Sequence, residues 1–397
     1  MTKPLLAVTK YAFTAVAATV GLYACLLGLL TTAFVQSHVI YLHKIQMPWF
    51  KDLDTPELFG FLHNQVTPFS IPTLNNESLY AWHVIPPGLY RQHEARLVQK
   101  SAGRIEDITS RTGFQLLKSD PKALLVIHFH GAAGTVASGY RPPNYRALSA
   151  GAPDRIHVLT FDYRGFGRSS NAMPSEPGVI ADSIAVLEWA IDVAGIPAAR
   201  ILIFGQSLGT AVSLAVSEHF ASRDQPVVFA GIVLVAPFVD AAALAATYRI
   251  AGVIPITSPL AKFPRAFRAL GEMIGDKWVS RDRIARFVRI AEAGGMRYRI
   301  TFVHAEDDWD VPSHHSQTLF WHAVNATTAT GIGREELDRV KVSKMVDLGA
   351  AGTVMEWKSE NGFVREEILK SGLHDVIMGN SVVTLAVSRI FGSVGLI

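Results

Sequence analysis

One stretch of this 397-residue chain limits its possible folds more than any other. Ile201 to Phe204 run without a break into Gly205-Gln206-Ser207-Leu208-Gly209, and a helix-compatible segment, Ala211 to Phe220, follows. Strand, sharp turn and helix in that order leave a serine standing at the tip of the turn, and Gly-x-Ser-x-Gly supplies the small residues needed on either side. Ser207 is the candidate nucleophile, with Gly205 and Gly209 keeping side chains away where backbone must pack close. The helix that begins near Leu208 turns its free N–H groups and positive dipole end toward the spot where charge would grow on a substrate carbonyl oxygen. The Leu208 N–H is therefore a candidate oxyanion donor.

The surroundings repeat the strand-helix alternation. Ala123 to His130 and His157 to Phe161 are continuous apolar runs of the buried-strand kind, and Val179 to Ala194 reads as an amphipathic helix. Ala230 to Pro237 and Arg299 to His304 supply further strands. Together they predict an α/β class, with a doubly wound, mostly parallel sheet. Val66 to Pro72 and Leu79 to Ile85, separated by Asn75-Asn76, predict an opening hairpin. The first buried strand ends in His130-Gly131-Ala132-Ala133-Gly134, a turn loose enough for backbone to approach a ligand; Ala132 N–H is the second candidate oxyanion donor. Asp162 and Arg164 are read as a structural ion pair holding the next turn.

A serine hydroxyl needs an imidazole to take its proton, and the imidazole needs a carboxylate to fix its tautomer. Behind a nucleophile elbow they come in the order serine, acid, histidine. The strand Arg299 to His304 runs into Ala305-Glu306-Asp307-Asp308-Trp309-Asp310-Val311-Pro312, in which Asp308, past the strand end, is the candidate acid. Asp307 and Asp310 are expected to face water or to cap the helix starting near Ser313. His314, His315 and His322 sit too close behind the acid to return from another strand. His374 follows the expected strand Gly352 to Lys358 and precedes the final helix Ser381 to Phe391, so it is the candidate base.

The N-terminus has a different texture. Residues 1–10 form a short tail, and Tyr11 to Val35 carry no charge; as one helix they would span about 37 Å, enough for a bilayer core. An uncleaved signal anchor over 11–35 is expected, with a juxtamembrane segment over 36–65 and the folded domain over 66–397. Lys3 and Lys10 barely outweigh Lys44 and Lys51, so the positive-inside rule leans toward a body in the lumen of the endoplasmic reticulum. Two sequons, at Asn76 and Asn325, agree with that side. The only cysteine, Cys25, lies in the anchor, which leaves the folded body without a disulfide or a thiolate metal site.

Between Ala241 and Arg297 lies a cap insertion rich in proline, glycine and bulky apolar residues, among them Val253, Phe263, Phe267 and Met273. It holds ten Lys/Arg against four acids, an excess of six where the whole chain has +3. Either contact with anionic headgroups or a plain solvated face would account for this. No basic run interleaved with aromatics argues for nucleic acid.

With His130-Gly131, Asp162 to Ser169, Gly205 to Gly209, His304 to Pro312 and His374 in hand, the chain resembles the α/β-hydrolases from Val66 onward. The anchor and His304-Ala305-Glu306-Asp307-Asp308 make it more narrowly similar to the single-pass membrane monoacylglycerol and lysophosphatidylserine lipases. That resemblance implies a serine ester hydrolase acting on a lysophospholipid or monoacylglycerol at a membrane through an acyl-enzyme, with no metal or organic cofactor. In that group the second aspartate of the pair is the acid, which again gives Asp308. The chain departs from the group at Ala132-Ala133, where asparagine-alanine is frequent, and the segment Thr327 to Asp347 has no counterpart. A serine peptidase of the same fold and a catalytically inactive, membrane-tethered binding protein are the alternatives.

Overall fold

A computed structural model describes residues 3–48, 50–250 and 254–397; Met1 and Thr2 of the tail and Val253 of the cap lie outside them. Two helices open the chain, α1 (Lys3–Leu29) and α2 (Ala33–Tyr41). The apolar run 11–35 is thus not one helix. Thr31 and Thr32 turn their hydroxyls back onto the carbonyls of Gly28 and Leu29, and Thr32 has extended backbone, which stops the first helix. Thr9–Leu29 remains long and apolar enough to cross a membrane, and its best apolar window is unburied; the hydroxyl of Tyr23 donates to Ile256 O. In the second helix Gln36, Ser37 and Tyr41 are buried against the body, while Phe34 and Val39 are exposed.

The hairpin β1 (Val66–Pro72) and β2 (Ser78–Val84) turns at Asn76, at φ 61°, as the sequence predicts. After α3 (Pro87–Leu97) and α4 (Thr112–Ser119) come β3 (Leu124–Phe129), α5 (Arg141–Ser149), β4 (Ile156–Phe161), α6 (Glu176–Asp192), β5 (Ile201–Gln206), α7 (Leu208–Ala221) and β6 (Gly231–Val235). The cap contributes α8 (Ala241–Thr247), the small pair β7 (Arg249–Ile250) and β8 (Ile254–Pro255), α9 (Ser258–Ala261) and α10 (Pro264–Glu272). Then follow α11 (Ser280–Ala293), β9 (Tyr298–Ala305), α12 (His314–Asn325), α13 (Arg334–Lys344), β10 (Val346–Asp347), β11 (Thr353–Lys358), β12 (Gly362–Leu369) and α14 (Ser381–Ser393).

Ten strands form one sheet in the order β1-β2-β4-β3-β5-β6-β9-β12-β11-β10, parallel from β4 to β12 and antiparallel at both edges. Strands buried on both faces are apolar at nearly every position, and β3 is so apart from His128: Leu125 and Ile127 join the core under α6, α7, α11 and α12, while Leu124 and Val126 join the one under α5 and α14. The chain lays β4 on one side of β3 and β5 on the other. That reversal leaves a crevice at the carboxyl ends of β3 and β5, the place where open sheets of this kind bind ligands.

Three expectations need correction. The strand that leads to His374 is β12, not Gly352–Lys358, which supplies the antiparallel strand β11 beside it. Arg365, Glu366 and Glu367 hide β12 from a hydrophobicity reading; in the fold Lys341 bonds Glu366 at 2.8 Å, and Arg365 and Arg389 bond Glu367. Second, α11 does not belong to the cap. Ile284, Phe287 and Val288 bury it against the sheet as the crossover from β6 to β9. Three of its four arginines are paired with the body: Arg281 to Asp240 at 2.9 Å, Arg283 to Glu176 at 2.5 Å, and Arg286 to Glu218. Third, Arg164 pairs with Asp182 at 2.6 Å rather than with Asp162, which instead accepts the Val136 N–H at 2.7 Å.

Candidate active site

The turn between β5 and α7 holds Ser207 at φ 52° and ψ −119°, a conformation that costs a non-glycine residue about 1–3 kcal/mol. Packing over-determines it. The Ser207 N–H donates to Val235 O at 3.0 Å, and its carbonyl accepts from Thr210 N–H and hydroxyl at 2.9 and 2.6 Å. A Cβ on Gly209 would sit 2.0 Å from Phe129 O, and one on Gly205 would meet Gly209 O at 2.4 Å, so the expected reason for both glycines holds. Gly131 repeats the argument from the neighbouring loop. Its missing Cβ would lie 2.4 Å from Gln206 Oε1 and 3.2 Å from Ser207 Cβ, which brings the loop after β3 directly against the serine.

Asp308 leaves the end of β9 and is buried. Its Oδ2 accepts from His374 Nδ1 at 2.8 Å and from His304 Nε2 at 3.2 Å; its Oδ1 accepts the N–H groups of Asp310 and Val311 at 3.0 and 2.9 Å. Burial pushes this carboxyl up, but the two imidazoles outweigh it and hold it below the usual carboxylate range. For His374, partial burial opposes the charge, yet Asp308 and the nearby Asp375 and Asp310 raise its pKa above the usual 6.5. The carboxylate fixes the proton on Nδ1, which leaves Nε2 as the base. Gln206, the residue before the serine, donates to His374 O at 3.4 Å and to Asp375 Oδ1 at 3.2 Å, tying the elbow to the histidine loop. Among the described residues the Ser207 hydroxyl makes no hydrogen bond of its own. Asp308, Asp310 and His374 have ligand atoms within 4.8 Å of one another, but His374 meets Asp308 through Nδ1, so this trio is a hydrogen-bonded pair with a neighbour rather than a cage for a cation.

Two donors of the loop after β3 are taken up by the segment that precedes the domain. Ala133 N–H donates to Tyr41 O at 2.8 Å and Gly134 N–H to Ile45 O at 2.6 Å. Its carbonyls are gathered on the other side by the buried Arg141, whose guanidinium reaches Thr135 O at 2.5 Å, Ala133 O at 2.8 Å, Gly131 O at 3.1 Å and Ala132 O at 3.3 Å. Ala132 N–H meets no acceptor among the described residues and stands beside the elbow, as does the first N–H of α7 at Leu208, which has no intrahelical partner. The structure therefore brings Ser207, Asp308, His374, Ala132 and Leu208 to one edge of the sheet.

Sequence reasoning missed several contributors. Asp307 is half-exposed, in line with expectation, but it does not cap α12; it accepts from Gly372 N–H and Leu373 N–H, both at 2.9 Å, and from the Ser371 hydroxyl at 2.7 Å. Those bonds hold the loop that carries His374. Its adjacency to Asp308 was the only available signal. His304 gave a weaker one, and Arg141 and Tyr41 gave none, because each acts through residues distant in the chain. An open cavity of about 510 Å³ lined by Met47, Phe59, Ser138 and Arg146 lies on the outer side of the loop after β3 and includes no candidate catalytic residue.

The sequence profile of the alpha/beta hydrolase family matches residues 124–364. Lysophosphatidylserine lipase ABHD12 of Danio rerio is 27% identical over 301 residues, covering 75% of this chain and 68% of the fish protein. The Xenopus tropicalis protein of the same name is 27% identical over 290 residues, covering 72% and 65%. The chain thus spans about two thirds of the length of these relatives. In overall shape it is similar to the crystal structure of an alpha-beta hydrolase from Vibrio vulnificus, with a TM-score of 0.50 and 11% identity over 91% of this chain and 90% of that one.

Proposed function

The chain belongs to the alpha/beta hydrolase family, and from that premise we propose that it is a membrane-anchored serine hydrolase that cleaves the acyl ester of a lysophospholipid. The 2.8 Å bond from His374 to Asp308 beside a strained elbow serine carries this reading. Ser207 Oγ attacks the ester carbonyl carbon while His374 Nε2 takes its proton, and the carbonyl oxygen, now an anion, rests against Ala132 and Leu208 N–H. Each such donor contributes about a hundredfold to a thousandfold in rate. Collapse expels the head-group alcohol, which receives the proton from His374, and leaves the acyl group on Ser207. Water then enters by the same steps and releases the fatty acid.

The lysophospholipid assignment is supported by the names of relatives that match about three quarters of the chain, and by a bilayer-length helix that would hold the site at its substrate's surface. The body is assigned to the lumenal side. Asn76, exposed at the hairpin turn, is the sequon suited to carry a glycan, whereas Asn325 already accepts Ile332 N–H at 2.9 Å and Thr327 is buried. Purified full-length protein should release fatty acid from lysophosphatidylserine, with Ser207→Ala reducing turnover by about a thousandfold or more. Equal turnover in that variant would remove the serine mechanism. Loss of an endoglycosidase mobility shift on Asn76→Gln tests the orientation; a body cleaved by protease outside sealed vesicles would reverse it.

A further inference from the structure

The segment joining the membrane helix to the domain touches the candidate oxyanion loop directly. Two consecutive N–H groups of that loop, at Ala133 and Gly134, are taken by carbonyls of residues 41 and 45, only a dozen or so positions beyond the end of α1. Ala133 stands at φ 58°, a conformation that alanine rarely holds without outside help. The help comes from both sides. Arg141 gathers the carbonyls on one side, and the segment takes the Ala133 and Gly134 N–H groups, which leaves Ala132 N–H without an acceptor among the described residues in the loop that packs against Ser207.

The same segment is bolted to its surroundings. The Tyr41 ring is buried edge-on against Trp278, and its hydroxyl donates to Asp276 Oδ2 of the cap base at 2.7 Å. Gln36 donates to Met273 O at 2.8 Å and accepts Gly275 N–H at 2.9 Å. Ser37 donates to Pro174 O at 2.8 Å. These are many bonds for a linker whose sole task would be to tether a domain, and they end on the loop that must bind a developing charge.

We propose that residues 33–45 form a strap that positions the oxyanion hole, with Tyr41 as its principal positioning residue, so that the segment following the anchor is part of the catalytic machinery and not only a leash. The proposal rests on the serine-hydrolase reading above. A misplaced donor weakens binding of the transition state while leaving ground-state ester binding alone, so kcat should fall without a matching change in KM.

The test uses the full-length chain in detergent micelles with a short water-soluble ester, which needs no delivery by a membrane. Tyr41→Ala should lower kcat at least tenfold with KM within about twofold, and the affinity for an alkyl boronic acid, whose oxygen occupies the oxyanion site, should fall in parallel. Tyr41→Phe, which keeps the ring, should retain kcat within about threefold. Should Tyr41→Ala not fold, Gln36→Ala with Ser37→Ala loosens the strap without opening the core and should lower kcat about threefold to tenfold. Cutting the purified protein at a protease site engineered at Thr31 leaves the strap in place and should keep kcat within twofold. A folded Tyr41→Ala or double variant with unchanged kcat and boronate affinity would overturn the proposal, as would loss of kcat on the Thr31 cut. A wild-type chain inert toward every ester would instead sink the underlying hydrolase reading.

Discussion

Strand β5 and the part of helix α1 from Tyr11 onward are both uncharged, largely apolar runs, yet β5 is buried throughout while the apolar window of α1 is exposed. The difference is one of coverage. Every face of β5 is closed by β3, β6 and the helices above and below, so truncating Ile203 or Phe204 to alanine would cost about 2–5 kcal/mol. The apolar surface of α1 has no such cover among the described residues and is long enough to match the hydrocarbon of a bilayer. Rigid cover at β5 lets the chain store strain at Ser207, whereas α1 can supply only location. The strap between them decides where delivery ends and catalysis begins.

The largest effect expected on the covered side is that of Asp308→Asn, a loss on the order of a thousandfold to ten-thousandfold in kcat on soluble and lipid esters alike, because the imidazole loses the carboxylate that fixes its tautomer. The pH profile sharpens this. His374 is held above the usual histidine value, so wild-type activity should rise with pH through an apparent pKa above 6.5, and removal of the Asp308 charge should move that limb to lower pH. A limb unmoved by Asp308→Asn would mean another group titrates. Next comes Arg141→Ala. Freed loop carbonyls should misplace Ala132 N–H and lower kcat about a hundredfold, checked against a melting curve that separates loss of the loop from loss of the fold. Asp307→Ala should cost about tenfold through the His374 loop; an effect as large as that of Asp308→Asn would exchange the two roles.

The smallest effect belongs to α1. Release of residues 1–31 should lower turnover of vesicle-borne lysophospholipid about tenfold and leave a soluble ester within twofold. Equal loss on both substrates would erase the contrast between location and catalysis.

Periodicity and turn chemistry carry far in this chain, and they stop where partners are distant. The mostly apolar runs of β3, β4, β5, β6 and β9 were legible because burial on both faces favours hydrophobic residues at consecutive positions. Ser207, Asp308 and His374 were legible because strand ends deliver them in a fixed chain order. β12 was not, since its three central charges are neutralised only by Lys341, Arg389 and its own neighbours after folding. Part of the basic excess of the cap region has the same explanation: Arg281, Arg283 and Arg286 sit on α11 and answer acids at positions 240, 176 and 218. The break of the apolar N-terminal run turned on two threonine hydroxyls that no hydrophobicity pattern registers.

Rapid quenching of the full-length protein during turnover of a lysophospholipid, followed by peptide mass analysis, tests the central claim most directly. The account predicts an acyl group on the peptide containing Ser207, accumulating within one turnover and stripped by hydroxylamine. Turnover with no adduct, or with an adduct on any other residue, would contradict it.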